Sequence, residues 1–503
     1  MRKPLSLTSL LLLTTLPGFA QEAQEGTVDQ FIASIFTPLS EFATSVIFFP
    51  LLTIRGVEVP FILLWLITGA IFFTFYLEFI NLRGFRTAID IIKGKYTNAD
   101  DPGQVTHFQA LATALSGTVG LGNIAGVAIA ISTGGPGATF WMIIFGLFSM
   151  SAKFVECALG VKFRDEHADG TVSGGAMYYL RKGLAQRGMG KLGVFLAGFF
   201  AVMAIGASFA GGNMFQVNQA AEQFIGITGG QDTLIGQSTW IFGVGMAVLV
   251  AAVIIGGIKS IARVTEKIVP IMCGVYVLSA LAVIVMNIRQ VPEAFAEIVA
   301  GAIGGEALAG GLIGTLIIGM QRATFSNEAG VGSAAIAHAA VKTSEPVTEG
   351  FVASLEPFID TVVVCTMTAL VIIISGQHRS GAEGITLTSD AFATVIGWFP
   401  YLLAIAVLLF AFSTMISWSY YGVKAWGYIF GSAPGSIIIY KVIFCLFIVV
   451  GASVDREPLV GFGDGMLFAM SLPNIVGCYI LAPLVKRDMK SFLKRIKQEK
   501  VEA

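Results

Sequence analysis

Long apolar stretches separated by short polar segments run through most of the chain. Each is long enough to cross a hydrocarbon core about 30 Å thick at about 1.5 Å per helical residue. We identify eleven, at residues 60–82, 106–131, 138–160, 193–224, 240–257, 264–286, 302–325, 355–376, 393–418, 436–453 and 461–486. The pattern predicts an all-α polytopic membrane protein with eleven transmembrane helices.

The composition supports this interpretation. Hydrophobic residues make up 55% of the 503 positions and charged residues 13%, against about 25% charged in soluble proteins. These values exclude a soluble multidomain enzyme and a disordered chain, and a net charge of −1 gives no support for nucleic-acid binding. The four histidines, His107, His167, His338 and His378, lie scattered, and no G-x-S-x-G motif occurs. We therefore expect neither an enzyme nor an organic cofactor.

The two ends of the chain predict its orientation. Residues 1–20 resemble a secretory signal, with Arg2 and Lys3 before a short apolar run and small residues before Gln21; the run is too short for a first transmembrane helix. Residues 21–59 would form a periplasmic or interfacial segment. Residues 60–486 would form the membrane-spanning domain, and residues 487–503 a basic cytoplasmic tail.

Basic residues test this orientation. Segments predicted to be cytoplasmic hold 22 Lys and Arg residues, and those predicted to be outside hold 4. Because cytoplasmic loops carry the excess of Lys and Arg, the counts favour a multi-pass protein of a bacterial inner membrane. Its N-terminus would lie outside after signal cleavage, and its C-terminus in the cytoplasm.

The second and seventh spans depart from ordinary helices. The second reads Leu115-Ser-Gly-Thr-Val-Gly-Leu-Gly-Asn-Ile-Ala-Gly126, and glycine costs about 1 kcal/mol in a helix interior. The seventh continues into the polar string Gln321-Arg-Ala-Thr-Phe-Ser-Asn-Glu-Ala-Gly-Val-Gly-Ser333. We interpret both as broken helices, which are tolerated in a membrane only beside a cavity or packed protein. The alternative for the glycines is close helix packing.

Broken helices offer binding groups. Free N–H groups at one half-helix start suit a carboxylate, and free carbonyl groups at the other end suit a cation or an ammonium group. The two broken spans each open a set of five, residues 106–286 and 302–486. Five is an odd number, so the second set enters from the opposite side, as in an inverted repeat of a secondary transporter.

Other polar residues in the spans carry weaker signals. Asn213, Gln216 and Gln219 are spaced to share a helix face, either towards the broken second span or in interhelical amide bonds. Ser413 and Thr414 predict an all-oxygen sodium site, unless they bond their own helix. For Arg322 and Glu328 we expect ion pairs, with Asp360 or Glu356 as possible partners. For Lys153 and Glu156, snorkelling at a span end is a sufficient account.

Three segments carry a family resemblance: Ser116–Asn123, Arg322–Ser333, and the stretch Phe412-Ser-Thr-Met-Ile-Ser-Trp-Ser-Tyr-Tyr421. They resemble the alanine or glycine:cation symporter family over essentially all of residues 60–486. The resemblance implies the leucine-transporter fold, coupling to sodium, and alanine or glycine as small neutral substrates. The segment Val119-Gly-Leu-Gly-Asn123 also looks like the first broken helix of the neurotransmitter:sodium symporters.

The resemblance also implies roles for individual residues. The Leu121 and Gly122 amides, beside Thr118 and Gly120, would bind the substrate carboxylate. Thr324 and Ser326 would lie near the amine, Asn213 and Gln216 would share these contacts, and Trp418 would cap the pocket. The Thr118 carbonyl and Asn123 would contact one sodium ion. The Ser116 and Val119 carbonyls would join Ser413 and Thr414 at the other.

The predicted function is sodium-coupled uptake of a small neutral amino acid by alternating access. A proton-coupled carrier is the alternative, with Glu328 as its titratable residue. A channel is a further alternative. It requires a continuous polar path, whereas the sequence offers one compact polar cluster. The expected partners are the amino acid, sodium and the lipid bilayer.

Overall fold

The computed structural model describes residues 28–54, 56–98, 100–304 and 311–502, and it is mostly helical. The predicted signal at residues 1–20 lies outside the described residues. We number helices and strands in chain order.

The described helices are given in two groups, before and after residue 290. Those before it are α1 Val28–Ile47, α2 Phe61–Tyr76, α3 Ile80–Arg83, α4 Phe85–Ile92, α5 His107–Thr118, α6 Ala125–Gly134, α7 Gly137–Lys162, α8 Ala176–Gln186, α9 Gly190–Phe209, α10 Phe215–Thr228, α11 Leu234–Gln237, α12 Trp240–Ile254 and α13 Gly257–Met286. The remainder are α14 Val291–Ile303, α15 Gly311–Asn327, α16 Ala334–His338, α17 Pro346–Ala353, α18 Leu355–Pro357, α19 Thr366–Ile374, α20 Gly384–Ala393, α21 Phe399–Phe430, α22 Pro434–Gly451 and α23 Arg456–Glu502.

Short irregular helices connect or interrupt these. One-turn 3₁₀ helices occur at Leu121–Asn123, Gly230–Asp232, Ile288–Gln290 and Gln377–Arg379, and wider π-helical turns at Ala210–Met214 and Phe358–Cys365. The π-helical turn at Ala210–Met214 joins α9 to α10 within one span, and that at Phe358–Cys365 joins α18 to α19. Single π-helical turns inside helices are frequently found at functional sites.

The described strands form two small antiparallel hairpins. Strand β1 (Pro50–Ile54) pairs with β2 (Val57–Pro60), in a register that places Ile54 opposite Val57. Strand β3 (Asp165–Glu166) pairs with β4 (Val172–Ser173) in the loop between α7 and α8. Both hairpins lie at span ends, where loop backbone is not enclosed by a helix.

Membrane-crossing helices dominate the described chain. Seven helical stretches are long and apolar enough to span, and the bent pair α5–α6 makes an eighth. The described helices at the predicted spans 60–82, 240–257 and 302–325 are shorter, with 16, 15 and 17 residues in α2, α12 and α15.

Helix α1 precedes the first predicted span. Its small residues Ser40 and Ala43 are buried, opposite Gly461 and Gly465 of α23. The large apolar side chains of Leu39, Phe42 and Val46 are exposed. The interfacial placement of residues 21–59 stays a prediction.

The interior of the bundle is where the two interrupted helices meet. Around the interruptions between α5 and α6 and between α15 and α16 pack α7, α10, α21 and α23. Several buried polar side chains lie here, among them Ser116, Asn123, Ser326 and Asp360, each at most 1% exposed. Buried polar groups require partners, so this region has specific hydrogen bonding rather than simple apolar packing.

Candidate functional site

The first interruption follows α5. Thr106 and Gln109 cap the start of this helix reciprocally, in a capping box. The helix ends at Thr118, and the chain bends by 56° between α5 and the helical segment that begins at Leu121. A Cβ atom on Gly120 would lie 2.5 Å from the Thr414 hydroxyl oxygen. Glycine is therefore required here by the close approach of α21.

The second interruption lies between α15 and α16, at residues 328–333. Glu328 has a φ angle of +54°, and Gly330 and Gly332 also have positive φ angles. Left-handed backbone is unfavourable for a residue with a side chain, so Glu328 is held there by its contacts. Its carboxylate accepts hydrogen bonds from Trp418 Nε1, at 3.0 Å, and from the Ser333 hydroxyl.

A cavity of about 20 Å³, enough for one water molecule, lies between the two interruptions. It is lined by Gly117, Thr118, Gly122, Gly211, Gln216, Phe325, Glu328, Trp418 and Leu467. Every lining side chain other than glycine is less than a tenth exposed, so the cavity lies in the interior of the helix bundle. Its walls combine three large apolar side chains with a few polar groups, as in small-molecule sites generally.

Gln216 connects the cavity wall to the first interruption. Its side-chain oxygen accepts the Leu121 N–H at 3.2 Å, and its side-chain nitrogen donates to the Gly211 carbonyl at 2.9 Å. The Gly120 N–H is taken by the Asn123 side chain at 2.8 Å. Peptide groups freed by the interruption are thus bonded to amide side chains around the cavity.

Only some of the residues predicted to bind substrate lie at the cavity. Thr118, Gly122, Gln216 and Trp418 line the cavity. Gly120 and Leu121 lie directly behind the wall, against Gln216.

Three of the predicted substrate residues point elsewhere. The Thr324 hydroxyl donates to the Met320 carbonyl of its own helix, and the Ser326 hydroxyl donates to Asp360 at 2.8 Å. Asn213 is the clearest correction, because it donates to the Phe444 carbonyl of α22 at 2.8 Å.

The predicted polar face of α10 is also corrected. Asn213 contacts α22, Gln216 contacts the first interruption, and Gln219 accepts the N–H of Ile385 on α20. Asn213 belongs to the π-helical turn Ala210–Met214, which breaks the α-helical spacing on which the expectation rested. Successive third residues drift around a helix, so the three side chains reach different neighbours.

The residues predicted to hold sodium form two groups. In the first, the Ser116 carbonyl accepts the Thr414 hydroxyl at 3.0 Å, and the Ser116 hydroxyl donates to the Ser413 carbonyl at 2.6 Å. Thr118 is the last residue of α5, and Val119 follows it, so their carbonyls lie where a helix leaves such groups unpaired by the next turn. Hard cations prefer clustered oxygen atoms of this kind.

The second group surrounds Asp360 on the π-helical turn Phe358–Cys365. Its carboxylate accepts hydrogen bonds from Asn123 at 2.6 Å, Ser326 at 2.8 Å and Thr361 at 2.7 Å. Asn123 and Ser326 come from the two interrupted helices, so one carboxylate joins both. Within the described ranges Asp360 forms no ion pair, and it is fully buried.

Asp360 is the site residue that the sequence analysis missed. The sequence suggests Asp360 only as an ion-pair partner of Arg322 or Glu328, yet Arg322 pairs with Asp464 of α23. Glu328 bonds Trp418 and Ser333 rather than a basic residue. An acidic residue in a predicted apolar span is itself a signal of function, and this signal could have identified Asp360.

The snorkelling expected of Lys153 and Glu156 is wrong. Both side chains are 0% exposed, and Lys153 lies 3.3 Å from Glu356 and 3.9 Å from Glu156. They are part of a buried network, because the middle of α7 is enclosed by neighbouring helices on every side.

Comparison with known proteins identifies relatives that match most of the chain. Residues 51–503 match the model of the sodium:alanine symporter family. The sodium/alanine symporter AgcS of Methanococcus maripaludis is 39% identical over 88% of this chain and 96% of its own length. The amino-acid carrier protein AlsT of Bacillus subtilis is 35% identical over 86% and 89%.

One solved structure shows the fold. The crystal structure of MhsT in complex with L-phenylalanine, a leucine-transporter-fold protein, has a TM-score of 0.52 and 14% identity. The match covers 76% of this chain and 89% of that chain.

Proposed function

This chain belongs to the sodium:alanine symporter family, and we propose that it takes up a small neutral amino acid, alanine or glycine, together with sodium. The family consists of transporters rather than enzymes. The observation that carries the proposal is the buried cavity between two interrupted helices, with clustered oxygen atoms against the first interruption.

The proposed architecture has eleven transmembrane helices in a bacterial inner membrane. The first would precede two inverted five-helix repeats, 106–286 and 302–486, with the N-terminus outside and the C-terminus in the cytoplasm. The interruption after α5 and that after α15 support this layout, because one lies within the opening span of the first repeat and the other directly follows the opening span of the second.

The substrate carboxylate would bind at the first interruption. The Leu121 and Gly122 peptide groups face the cavity wall, where Gln216 already bonds the Leu121 N–H. A carboxylate accepting the same N–H makes a stronger, charge-assisted hydrogen bond than an amide oxygen does. Gln216 would then shift and donate its side-chain N–H to the substrate.

The substrate ammonium group would meet Glu328. This residue contributes a carboxylate to the cavity lining, and it is held in place by Trp418 and Ser333. We assign the amine to Glu328 rather than to Thr324 or Ser326, whose hydroxyl groups are engaged elsewhere. Phe325, Trp418 and Leu467 confine the cavity to about 20 Å³, so a large substrate side chain is disfavoured relative to those of alanine and glycine.

Sodium would bind in two places. One site would use oxygen atoms of Ser116, Val119, Ser413 and Thr414, between α5 and α21. The other would use the Thr118 carbonyl, Asn123 and the carboxylate of Asp360. A cation there would compensate the buried charge of Asp360, which the surrounding hydroxyl and amide donors only partly stabilise.

Transport would proceed by alternating access. Sodium bound between α5 and α21 ties the first interruption to a helix of the second repeat. Filling the cavity would stabilise the closed state, and movement of one repeat against the other would then open the cytoplasmic side.

Uptake into proteoliposomes tests this proposal. We expect alanine uptake to require an inward sodium gradient, and Ser413→Ala to raise the sodium concentration for half-maximal uptake about tenfold, through loss of one ligand worth roughly 1.4 kcal/mol. Ser419→Ala is the matched control, because its hydroxyl makes the same bond to the carbonyl three residues earlier but lies outside the proposed site. Uptake that persists after the sodium gradient is collapsed would exclude sodium coupling.

A proton-coupled carrier is the second candidate, favoured by the position of the Glu328 carboxylate in the cavity wall. It predicts uptake driven by a pH gradient without sodium and lost in Glu328→Gln. A sodium symporter predicts no such pH-driven uptake in either protein. The small buried cavity disfavours a channel. Single-channel current in planar bilayers would be evidence for one.

A further inference from the structure

A buried network of charged side chains lies on the α16 side of the second interruption, away from the cavity. Glu349 of α17 contacts His107 through one carboxylate oxygen and His338 through the other. The second ring nitrogen of His338 contacts Glu356, which pairs with Lys153 at 3.3 Å. None of these five residues lines the cavity found among the described residues.

Hydrogen-bond counting fixes the protonation of this network. A neutral imidazole has one N–H and one bare nitrogen, yet both nitrogens of His338 lie against carboxylate oxygens. With both carboxylates ionised and His338 neutral, a bare nitrogen would face a bare oxygen. The unit Glu349–His338–Glu356 therefore holds one proton more than that form.

The position of the network gives this proton a mechanical role. His107 is the first residue of α5 and His338 is the last of α16, so Glu349 clamps the ends of both interrupted helices. Adjacent backbone segments pair through a parallel bridge between Val105 and Val341. We call residues 102–107 and 338–343 the inner joint.

Further contacts hold the inner joint closed. Arg164 donates to the Pro102 carbonyl at 2.7 Å and to the Thr343 carbonyl at 2.9 Å, one on each side of the joint. A Cβ atom on Gly103, whose φ angle is +140°, would lie 2.1 Å from the Val341 carbonyl oxygen. The two segments are thus in backbone contact, and their separation would open a path from the cavity to the predicted cytoplasmic side.

We propose that Glu349, His338 and Glu356 form a proton-binding site that locks the inner joint, so that loss of this proton releases it. Without the proton, one of the two carboxylates loses its donor on His338 and remains a buried, poorly compensated charge. Separation of the helix ends lets water reach that charge. The site takes a proton as its ligand and is distinct from the sodium and amino-acid sites proposed above.

Other charged and titratable groups face the network and contribute to its net charge. They are Lys153, Glu156 and Cys157 of α7, Arg164 after α7, Tyr179 of α8, Glu328 at the second interruption and Tyr421 of α21. Lys153 is the nearest cation to Glu356 in the described chain, and Glu156 shares it. Lys153 therefore cannot fully replace the charge that the proton supplies.

The sign of the pH dependence follows from linkage. The closed joint binds one proton more than the open joint, so a rise in pH favours opening, by at most about tenfold per pH unit. The effect needs neither sodium nor amino acid.

Hydrogen exchange of the full chain in detergent tests the proposal, without sodium or amino acid and with correction for intrinsic exchange rates. Between pH 6 and pH 8 we expect protection of the inner joint, residues 102–107 and 338–343, to fall, by up to about 100-fold in the opening equilibrium. In Glu356→Gln the amide donates to a neutral His338, so the joint should stay protected at both pH values. His167→Asn changes an exposed histidine of the β3–β4 loop that bonds Ser173, and it should behave as the unmodified protein does.

Two results would overturn the proposal. One is equal protection of the joint at pH 6 and pH 8 in the unmodified protein. The other is an unmodified pH response in Glu356→Gln, which cannot lose a proton at that position. Because no transport is measured, either result leaves the proposed symport standing, and failure of sodium coupling leaves this test valid.

Discussion

Two buried guanidinium groups hold the interrupted helices on opposite sides of the cavity, and they are satisfied to different degrees. Arg164, 8% exposed, donates to four backbone carbonyls at 2.6 to 3.0 Å and to Glu166 at 3.2 Å. Arg322, 5% exposed, bonds Asp464 through one nitrogen and packs over the Phe325 ring.

The difference lies in what is left unpaired. Within the described residues, one terminal nitrogen of Arg322 and one oxygen of Asp464 have no hydrogen-bond partner. A buried group without a partner costs free energy, so the Arg322 contact is easier to open than the Arg164 contact.

Arg164→Ala should have the largest effect on this contrast. It removes four charge-assisted hydrogen bonds, each worth about 1.5–3 kcal/mol, and leaves the carbonyls of Pro102, Ala339, Val341 and Thr343 without their shared donor. We expect sodium-driven alanine uptake to fall more than tenfold and hydrogen exchange in the inner joint to accelerate.

Arg187→Ala is the control for this variant, since Arg187 is exposed at the end of α8. If Arg164→Ala transports as the unmodified protein does, the Arg164 contact at the inner joint is not stronger than the Arg322 contact.

Gly120→Ala tests the first interruption, which lies between the Arg164 and Arg322 contacts. The added Cβ atom would lie 2.5 Å from the Thr414 hydroxyl oxygen and 3.2 Å from the Gln216 oxygen. Overpacking of this kind costs about 1–3 kcal/mol. We expect weaker sodium-dependent thermal stabilisation by alanine, because both proposed sites are distorted.

Gly126→Ala provides the matched comparison, because its nearest atom would be 3.9 Å from the new Cβ. Equal loss of alanine stabilisation in both variants would mean that the first interruption tolerates no added side chain anywhere, rather than being tightly fitted at Gly120.

Asp464→Asn should have the smallest effect. The asparagine oxygen still accepts from Arg322, so the variant loses charge assistance of about 1 kcal/mol, roughly fivefold in the opening equilibrium. We expect the alanine concentration for half-maximal uptake to rise several-fold with little change in inner-joint protection. Asp232→Asn, at an exposed position after α10, should change nothing, and an effect of Asp464→Asn as large as that of Arg164→Ala would reverse the comparison.

Local chemistry made parts of the site predictable. The crowding of glycine around Gly120 and the run of polar residues after Gln321 each marked an interruption, since neither composition favours a continuous helix in lipid. The interruption after α15 begins at Glu328, within this polar run, and glycines with positive φ angles follow Glu328.

Pairing between distant segments was not predictable in the same way. The sequence placed four histidines far apart, yet His107 and His338 meet at one carboxylate. Arg322 pairs with a residue 142 positions away, and Asp360 joins Asn123 to Ser326. Such contacts depend on how helices pack, and helix spacing alone does not contain that information.

The sequence by itself determined the apolar spans, the two places where a helix cannot continue, and the family resemblance, because these depend on neighbouring residues and on the cost of polar groups in lipid. Tertiary structure decided which side chains surround the cavity and which charges are paired. Asn213 turns away from the cavity because a π-helical turn reorients it. Lys153 is enclosed rather than exposed because α7 packs at the centre of the bundle, where each buried charge takes whichever partner the neighbouring helices supply.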